Sequence, residues 1–270
     1  MTTTPTVTRI TTYPIKSFDG RSITSARLTA GGGLAGDREY ALFDRDGEYV
    51  NGKREPRIHR LAAVYDGPES AIDRVRVDPP DVGSVEFELP EEVDAFGEWA
   101  SDWFGYPVSV DRDPSGGFPD DTEAAGPTVI STATIETVAS WFEGIDTEGM
   151  RRRLRANVEI DGVPAFWEDR LFEDRSHGIS FSIGDVTLHG YNPCQRCAVP
   201  SRDPDTGEPY VGFPETFRRK RQETLPGWSG GEWFDHYFRL MVNTKLPAES
   251  IDRTIAVGDP IRIEGRVPIG

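Results

Sequence analysis

Only two cysteines occur in this 270-residue sequence, Cys194 and Cys197, three positions apart. A secreted scaffold braced by disulfides spreads more cysteines along its length, so that class is excluded. Histidine is nearly as scarce. His59, His177, His189 and His236 are scattered and none follows an H-x3-5-H pattern, so the cysteine pair lacks the two further ligands of a tetrahedral zinc site. No apolar run approaches the roughly 18–20 residues that span a bilayer. The N-terminus, MTTTPTVTRITTYPIKS, has neither the basic region nor the apolar core of a secretory signal. Together these absences predict a cytoplasmic chain without a membrane span. Basic charge is the remaining shortage: 30 Lys and Arg stand against 46 Asp and Glu, few of the basic residues are Lys, and the net charge is −16. Repulsion from phosphate then excludes nucleic acid as a partner. An acidic, Lys-poor surface suits a halophile's high-salt cytoplasm, where repulsion is screened. A docking face for a basic partner is the alternative.

What is present suffices for a core: 36% apolar residues, with 14 Phe and 6 Trp. The 28 Gly and 21 Pro favour turns and short strands. Residues 7–28 alternate around Asp19-Gly20, a hairpin signal. Glycines 31–33 and Gly36 permit tight turns, and Glu39 to Val50 reads as two strands around Arg45-Asp46-Gly47. Further strands fall near 60–66, 73–78 and 84–89, so the first ninety or so residues resemble a β-barrel or sheet. Over 91–105, Val93, Phe96, Trp99, Ala100 and Trp103 repeat at helical spacing, and this stripe predicts core. Residues 111–127 have no period and read as a linker or a flap over a site. Beyond them come a short strand at 128, a helix capped near Ser131-Thr132 and running to about Phe142, and strands at 157–160, 179–183, 186–191 and in IAVGDPIRIEG.

Two features carry chemistry. A thiolate is a soft metal ligand and C-x-x-C is a common spacing for it, but Pro193 and Pro200 flank the pair and disfavour the helix start of a redox motif. Metal or cofactor ligation and a structural pair of thiols both remain open at this point. The second feature is basic residues beside turns: Lys16-Ser17, Arg38, Arg151–Arg153 with Arg155, and Arg196. Arginine forks and glycine-rich turns bind oxyanions, while surface ion pairing is the plain alternative.

The strings YPIKS, GDREYALFDRDGEYVNGKREPRIHRL, RRRLRANVEIDG, WEDRLF, NPCQRCAV, DPDTGEP and VGDPIRIEG, in this order from about residue 7 to 266, resemble the MOSC family, most closely its amidoxime-reducing members. The resemblance implies a mainly β fold with a few helices (α+β): an N-terminal β-barrel-like domain over 5–110, a linker at 111–127 and a β-barrel MOSC domain over 128–268. It implies a molybdenum cofactor (Mo-molybdopterin) whose metal is held by Cys197, not by Cys194. Lys16, Ser17 and Arg38 stand where the family grips the pterin phosphate. Arg196 stands beside the pterin, Arg155 and Asn157 match an R-x-N contact, and Ser131 and Thr132 open a helix near the cofactor. Family-level description extends to pyridoxal phosphate binding. The implied activity is reduction of N-hydroxylated small molecules, with electrons from a separate ferredoxin, flavoprotein or cytochrome b5-like protein. A cofactor carrier or sulfur-transfer module is the alternative. Ala156 replaces the family's usual Pro, and Val199-Pro200 stands where relatives often carry Thr-Thr, which bears on substrate. Asp203 and Asp205 are candidates for proton delivery or for anchoring a loop.

Overall fold

The computed structural model describes residues 4–80, 82–229 and 231–269. The elements in chain order are β1 (Thr6–Thr12), β2 (Arg21–Ile23), β3 (Ser25–Arg27), β4 (Tyr40–Asp44), β5 (Ala62–Asp66), β6 (Arg74–Asp78), β7 (Val85–Glu88), α1 (Val93–Phe104), β8 (Val108–Arg112), β9 (Val129–Ser131), α2 (Thr132–Ala139), α3 (Thr147–Leu154), β10 (Val158–Asp161), β11 (His177–Ile183), β12 (Val186–Gln195), α4 (Phe213–Glu223), β13 (Arg239–Lys245), β14 (Thr254–Ala256) and β15 (Ile261–Pro268). Strand therefore dominates, as the turn-rich composition predicts.

The main sheet runs β15-β11-β12-β13-β9-β10-β1-β2. It curls back on itself: Val7 exchanges backbone hydrogen bonds with Asp259 and Gly258, and Ile261 donates to Pro5. The start of β1 thus meets the chain entering β15, giving a barrel-like closure that leaves few free strand edges. The predicted hairpin is present, with Thr11 opposite Ser22. Its connection is not a two-residue turn at Asp19-Gly20; it is the whole segment 13–20, and this loop enters the site. The second predicted hairpin is only partial. Beyond a single bridge from Phe43 to Tyr49, β4 finds its partner in β8.

Three apolar cores divide the chain. The first fills the barrel and joins Val7, Ile10 and Leu28 to Phe181, Leu188 and Val242. The second, from Ile15 to Val110, comes entirely from the N-terminal portion, with α1 packed over β7 and β8. Phe96 is buried there beside Phe87 and Trp99, and Trp103 stacks on Trp99, both tryptophans half-buried, so the aromatic stripe packs on the core. The third packs α2 and α3 against Phe213 and Phe217 of α4. Strand pairing crosses the 111–127 segment, because β1 pairs with β10 and β3 with β14. That segment itself holds no helix and no strand beyond Arg112. It is sewn to the 29–37 loop by glycine: a Cβ on Gly31 would lie 2.3 Å from the Gly116 Cα, so the two backbones touch only because neither carries a side chain.

Candidate cofactor cavity

Where the second core meets the barrel lies a cavity of about 480 Å3. Four segments build it. Ile15 and Phe18 anchor the 13–20 loop in the second core and leave Lys16 and Ser17 on the cavity wall. The 34–38 loop is stitched to it by Arg38 N–H donating to the Tyr13 carbonyl at 2.7 Å, and by Tyr13 N–H donating to Asp37 Oδ1 at 2.7 Å. The end of α3 delivers Arg155 as its C-cap, followed by Asn157. Finally β12 runs out through Cys194 and Gln195, Arg196 N–H donates to the Phe238 carbonyl at 2.9 Å, and Cys197 follows on the wall.

Backbone conformation marks the cavity. Among the described residues, six that are not glycine have positive φ, and four of these line it: Ser17 (74°), Arg38 (52°), Arg155 (57°) and Met241 (61°). An L-residue held there costs roughly 1–2 kcal/mol, and such strain gathers where function over-determines conformation.

The electrostatics are local and opposite in sign to the chain as a whole. Lys16, Arg38, Lys53, Arg155, Arg196 and Arg239 line the cavity, against Asp37, Asp120 and Asp121. Lys16 is buried; its ammonium donates to the Phe118 carbonyl at 2.8 Å and pairs with Asp120 at 3.0 Å. Burial pushes that ammonium below its ordinary pKa, with Asp120 opposing. Burial raises the Asp120 carboxyl, but Lys16 and Arg38 outweigh it and hold the group well below the usual carboxylate range. Arg155 lies over the Tyr13 ring at 4.1 Å, and its guanidinium has no hydrogen-bond acceptor among the described residues. Burial lowers its pKa as well. Tyr13, between Arg155 and Arg38, is pushed up to about 12 by burial.

Of the sequence-predicted residues, Lys16, Ser17, Arg38, Arg155, Asn157, Arg196 and Cys197 share this cavity. Their availability differs. Arg196 donates to Cys194 Sγ at 3.3 Å, Met241 Sδ at 3.4 Å and the Leu154 carbonyl at 2.9 Å, while its buried Nε has no partner. The Asn157 amide is engaged within the protein: Oδ1 accepts from Thr128 and Nδ2 donates to the Thr11 carbonyl at 3.1 Å. Ser131 and Thr132 open α2 as expected but do not line the cavity. Ser131 is fully buried and its Oγ accepts from Thr134 N–H as the helix N-cap; the Thr132 hydroxyl donates to Glu159 at 3.0 Å. Arg151, Arg152 and Arg153 take the plain reading of ion pairs, to Glu159, Asp205 and Asp203. Asp203 and Asp205 accordingly anchor a loop.

Sequence reasoning missed Asp120, Thr128, Arg239, Met241 and Asn243 on the wall. Asp120 was approachable through the predicted flap. Arg239 and Asn243 sit in β13, which carries no sequence motif.

No group of three His, Cys, Asp or Glu side chains poised for a metal exists among the described residues. A metal held at Cys197 therefore takes its other ligands from outside the protein. The donor set fits an anionic organic group bearing a soft metal: a half-buried free thiol, an Arg155 guanidinium whose one contact is the Tyr13 ring, and buried Nε atoms on Arg196 and Arg239 lacking acceptors. The volume lies in the range of ligand sites, about 300–1,000 Å3.

Comparison with known proteins adds the following. Residues 4–106 match the model of the MOSC N-terminal beta barrel domain and residues 126–262 that of the MOSC domain. The chain is 26% identical to human Mitochondrial amidoxime-reducing component 1, over 97% of this chain and 83% of that protein. It is 26% identical to Molybdenum cofactor sulfurase of Oryza sativa subsp. japonica, over 80% of this chain but only 31% of that protein. The YUAD protein of Bacillus subtilis aligns over 99% of this chain and 97% of its own, with TM-score 0.35 and 12% identity. No helix of the described residues is long and apolar enough to cross a membrane. None of these relatives speaks to a high-salt cytoplasm or to pyridoxal phosphate, and neither expectation is carried further.

Proposed function

The chain belongs to the MOSC family, and from that membership we propose that its cavity binds a molybdenum–pterin cofactor and that the protein reduces N-hydroxylated, amidoxime-like small molecules. The observation that carries this reading is the convergence of four strained left-handed residues, a free thiol and an acceptor-less guanidinium on one cavity. The name of the human relative, an amidoxime-reducing component spanning nearly the whole chain, supports the choice of substrate class.

In this reading the Cys197 thiolate holds the metal. Lys16, Ser17, Arg38 and Arg155 bind the phosphate and pterin, and Arg196 fixes the Cys turn by donating to Cys194 and the Leu154 carbonyl. Asn157 acts as a positioning residue, tying Thr128 to Thr11. The bound group supplies a metal that accepts oxygen and cycles two electrons. Two electrons and two protons convert the N–OH of the substrate to N–H and water. The electrons come from a separate protein, such as a ferredoxin, a flavoprotein or a cytochrome b5-like carrier. The 113–128 loop, held over the cavity by Lys16 and by Asn243 on Asp121 at 3.3 Å, limits water access.

Metal analysis of protein made in a cofactor-competent host, wild type beside Cys197→Ser, tests the reading. Near-stoichiometric molybdenum that falls in the variant, with benzamidoxime reduction by reduced viologen, supports it. An absence of molybdenum while a control molybdoenzyme is loaded in the same cells rejects it. Loaded protein without turnover favours a second reading, a cofactor carrier or sulfur-transfer module, to which the similarity to the rice sulfurase lends weight.

A further inference from the structure

A second cavity, of about 380 Å3, shares Ser17, His59, Arg155 and Val199 with the first and is otherwise separate from it. One wall is the outer face of β1. Arg9 and Thr11 face it, with Tyr13 just beyond the strand, while Ile10 turns into the barrel. Ser22, opposite Thr11 on β2, extends this wall. A second wall is apolar, made by Phe18, Ile58 and Leu61 of the second core. The recess is kept open by Gly20, where a Cβ would lie 2.7 Å from both Thr11 and Tyr13.

The third wall is arginine. Arg151, Arg152 and Arg153 are already matched to carboxylates, and the two acids that line the recess, Asp19 and Glu148, are consumed in those pairs. Three guanidiniums remain without a carboxylate. Arg9 has no side-chain partner among the described residues, Arg155 has only the Tyr13 ring, and Arg202 donates to the Gly207 carbonyl at 3.0 Å while its buried Nε has no acceptor. In a chain with 46 acidic residues such pairing is easily found, and three unmatched cations around one recess repel one another.

We propose that this recess binds a small organic oxyanion, a carboxylate or phosphate ester whose apolar body is about the size of one ring. Arg9 and Arg202 hold the oxyanion through forked N–H donors, Arg155 being left to the first cavity, and Phe18, Ile58 and Leu61 cover the body. The volume fits a ligand of that size. The assignment stands whether or not the first cavity takes a molybdenum cofactor.

Calorimetric titration of the full chain with benzoate, phenyl phosphate, inorganic phosphate and benzyl alcohol tests it. Benzoate or phenyl phosphate binds saturably and more weakly as salt is raised; benzyl alcohol does not bind. Which of the two binds tighter distinguishes carboxylate from phosphate ester. Arg9→Gln, and Ser22→Glu at an exposed strand position, each weaken binding by about tenfold or more. Neither residue lines the first cavity, so these variants separate the two. Thermal melts of both variants confirm that they fold, and the two substitutions act independently should one of them not. No saturable oxyanion binding, or binding that both folded variants leave unchanged, overturns the proposal. Inorganic phosphate binding as tightly as phenyl phosphate overturns the assignment of an organic ligand.

Discussion

Replacing Arg155 by glycine is expected to leave the fold as stable as before while removing a binding group. Arg155 has φ 57°, a conformation glycine adopts freely, so the substitution relieves roughly 1–2 kcal/mol of backbone strain. The side chain lost is a guanidinium whose one contact is the Tyr13 ring at 4.1 Å, a stacking interaction of about 1–2 kcal/mol when partly desolvated. The two terms offset to within about 1 kcal/mol, which corresponds to about 2–4 °C in Tm for a chain of this size. Arg155→Ala keeps the strain and loses the ring contact, so it should melt lower than the glycine variant by a similar few degrees. The assay is a thermal scan of wild type and both variants in the cofactor-free state, followed by molybdenum content after expression in a competent host. Glycine near wild-type Tm with reduced molybdenum marks Arg155 as a residue kept for a ligand. A fall of more than about 8 °C in the glycine variant would refute the reasoning, because the guanidinium would then be holding the fold.

Other consequences can be measured directly. Cys194→Ser should retain molybdenum and Cys197→Ser should not, since only Cys197 is assigned to the metal; equal loss in both would mean that the pair acts together. Ser131→Ala removes an N-cap bond to Thr134 and should cost about 1 kcal/mol in urea unfolding without changing cofactor content; a change in content would return Ser131 to the site. Glu168 is fully buried, and burial first, then Asp169 beside it, push its carboxyl up to about 7. The unfolded chain releases this proton near pH 4.3, so the folded state holds more protons between about pH 4 and 7 and loses stability as pH rises through that window. Glu168→Gln should therefore flatten the fall in unfolding free energy between about pH 5 and 8, by about 2–3 kcal/mol; identical pH profiles for the two proteins would sink this account.

Local pattern rendered most strands, α1 and α2 legible, but not β8, α3 or β13. Helix α4 escaped because its buried face is hidden in the composition. Phe213 and Phe217 recur four apart, but the next position on that face is Arg221, fully buried, paired with Asp169 and lying over Phe166 at 4.4 Å. A run reading FPETFRRKRQE looks solvated until that tertiary partner is known. The hairpin at β1–β2 was read correctly as a pairing and wrongly as a turn, because Ile15 and Phe18 are held by long-range packing that no local rule encodes.

The site was legible to the extent that its side chains are unusual in this chain, and no further. Seven of nine expected residues share the cavity, whereas Ser131 and Thr132 do not, because the polar residues that cap a helix are the same types that bind a ligand and only burial separates the two roles. What distinguishes Ser17, Arg38, Arg155 and Met241 is their left-handed backbone, and their letters disfavour that conformation. Glycine at such a position announces a turn in the sequence; serine, arginine or methionine there announces nothing. A side chain held against such strain marks a position to test for a ligand, and the folded backbone, not the composition, exposes that conflict.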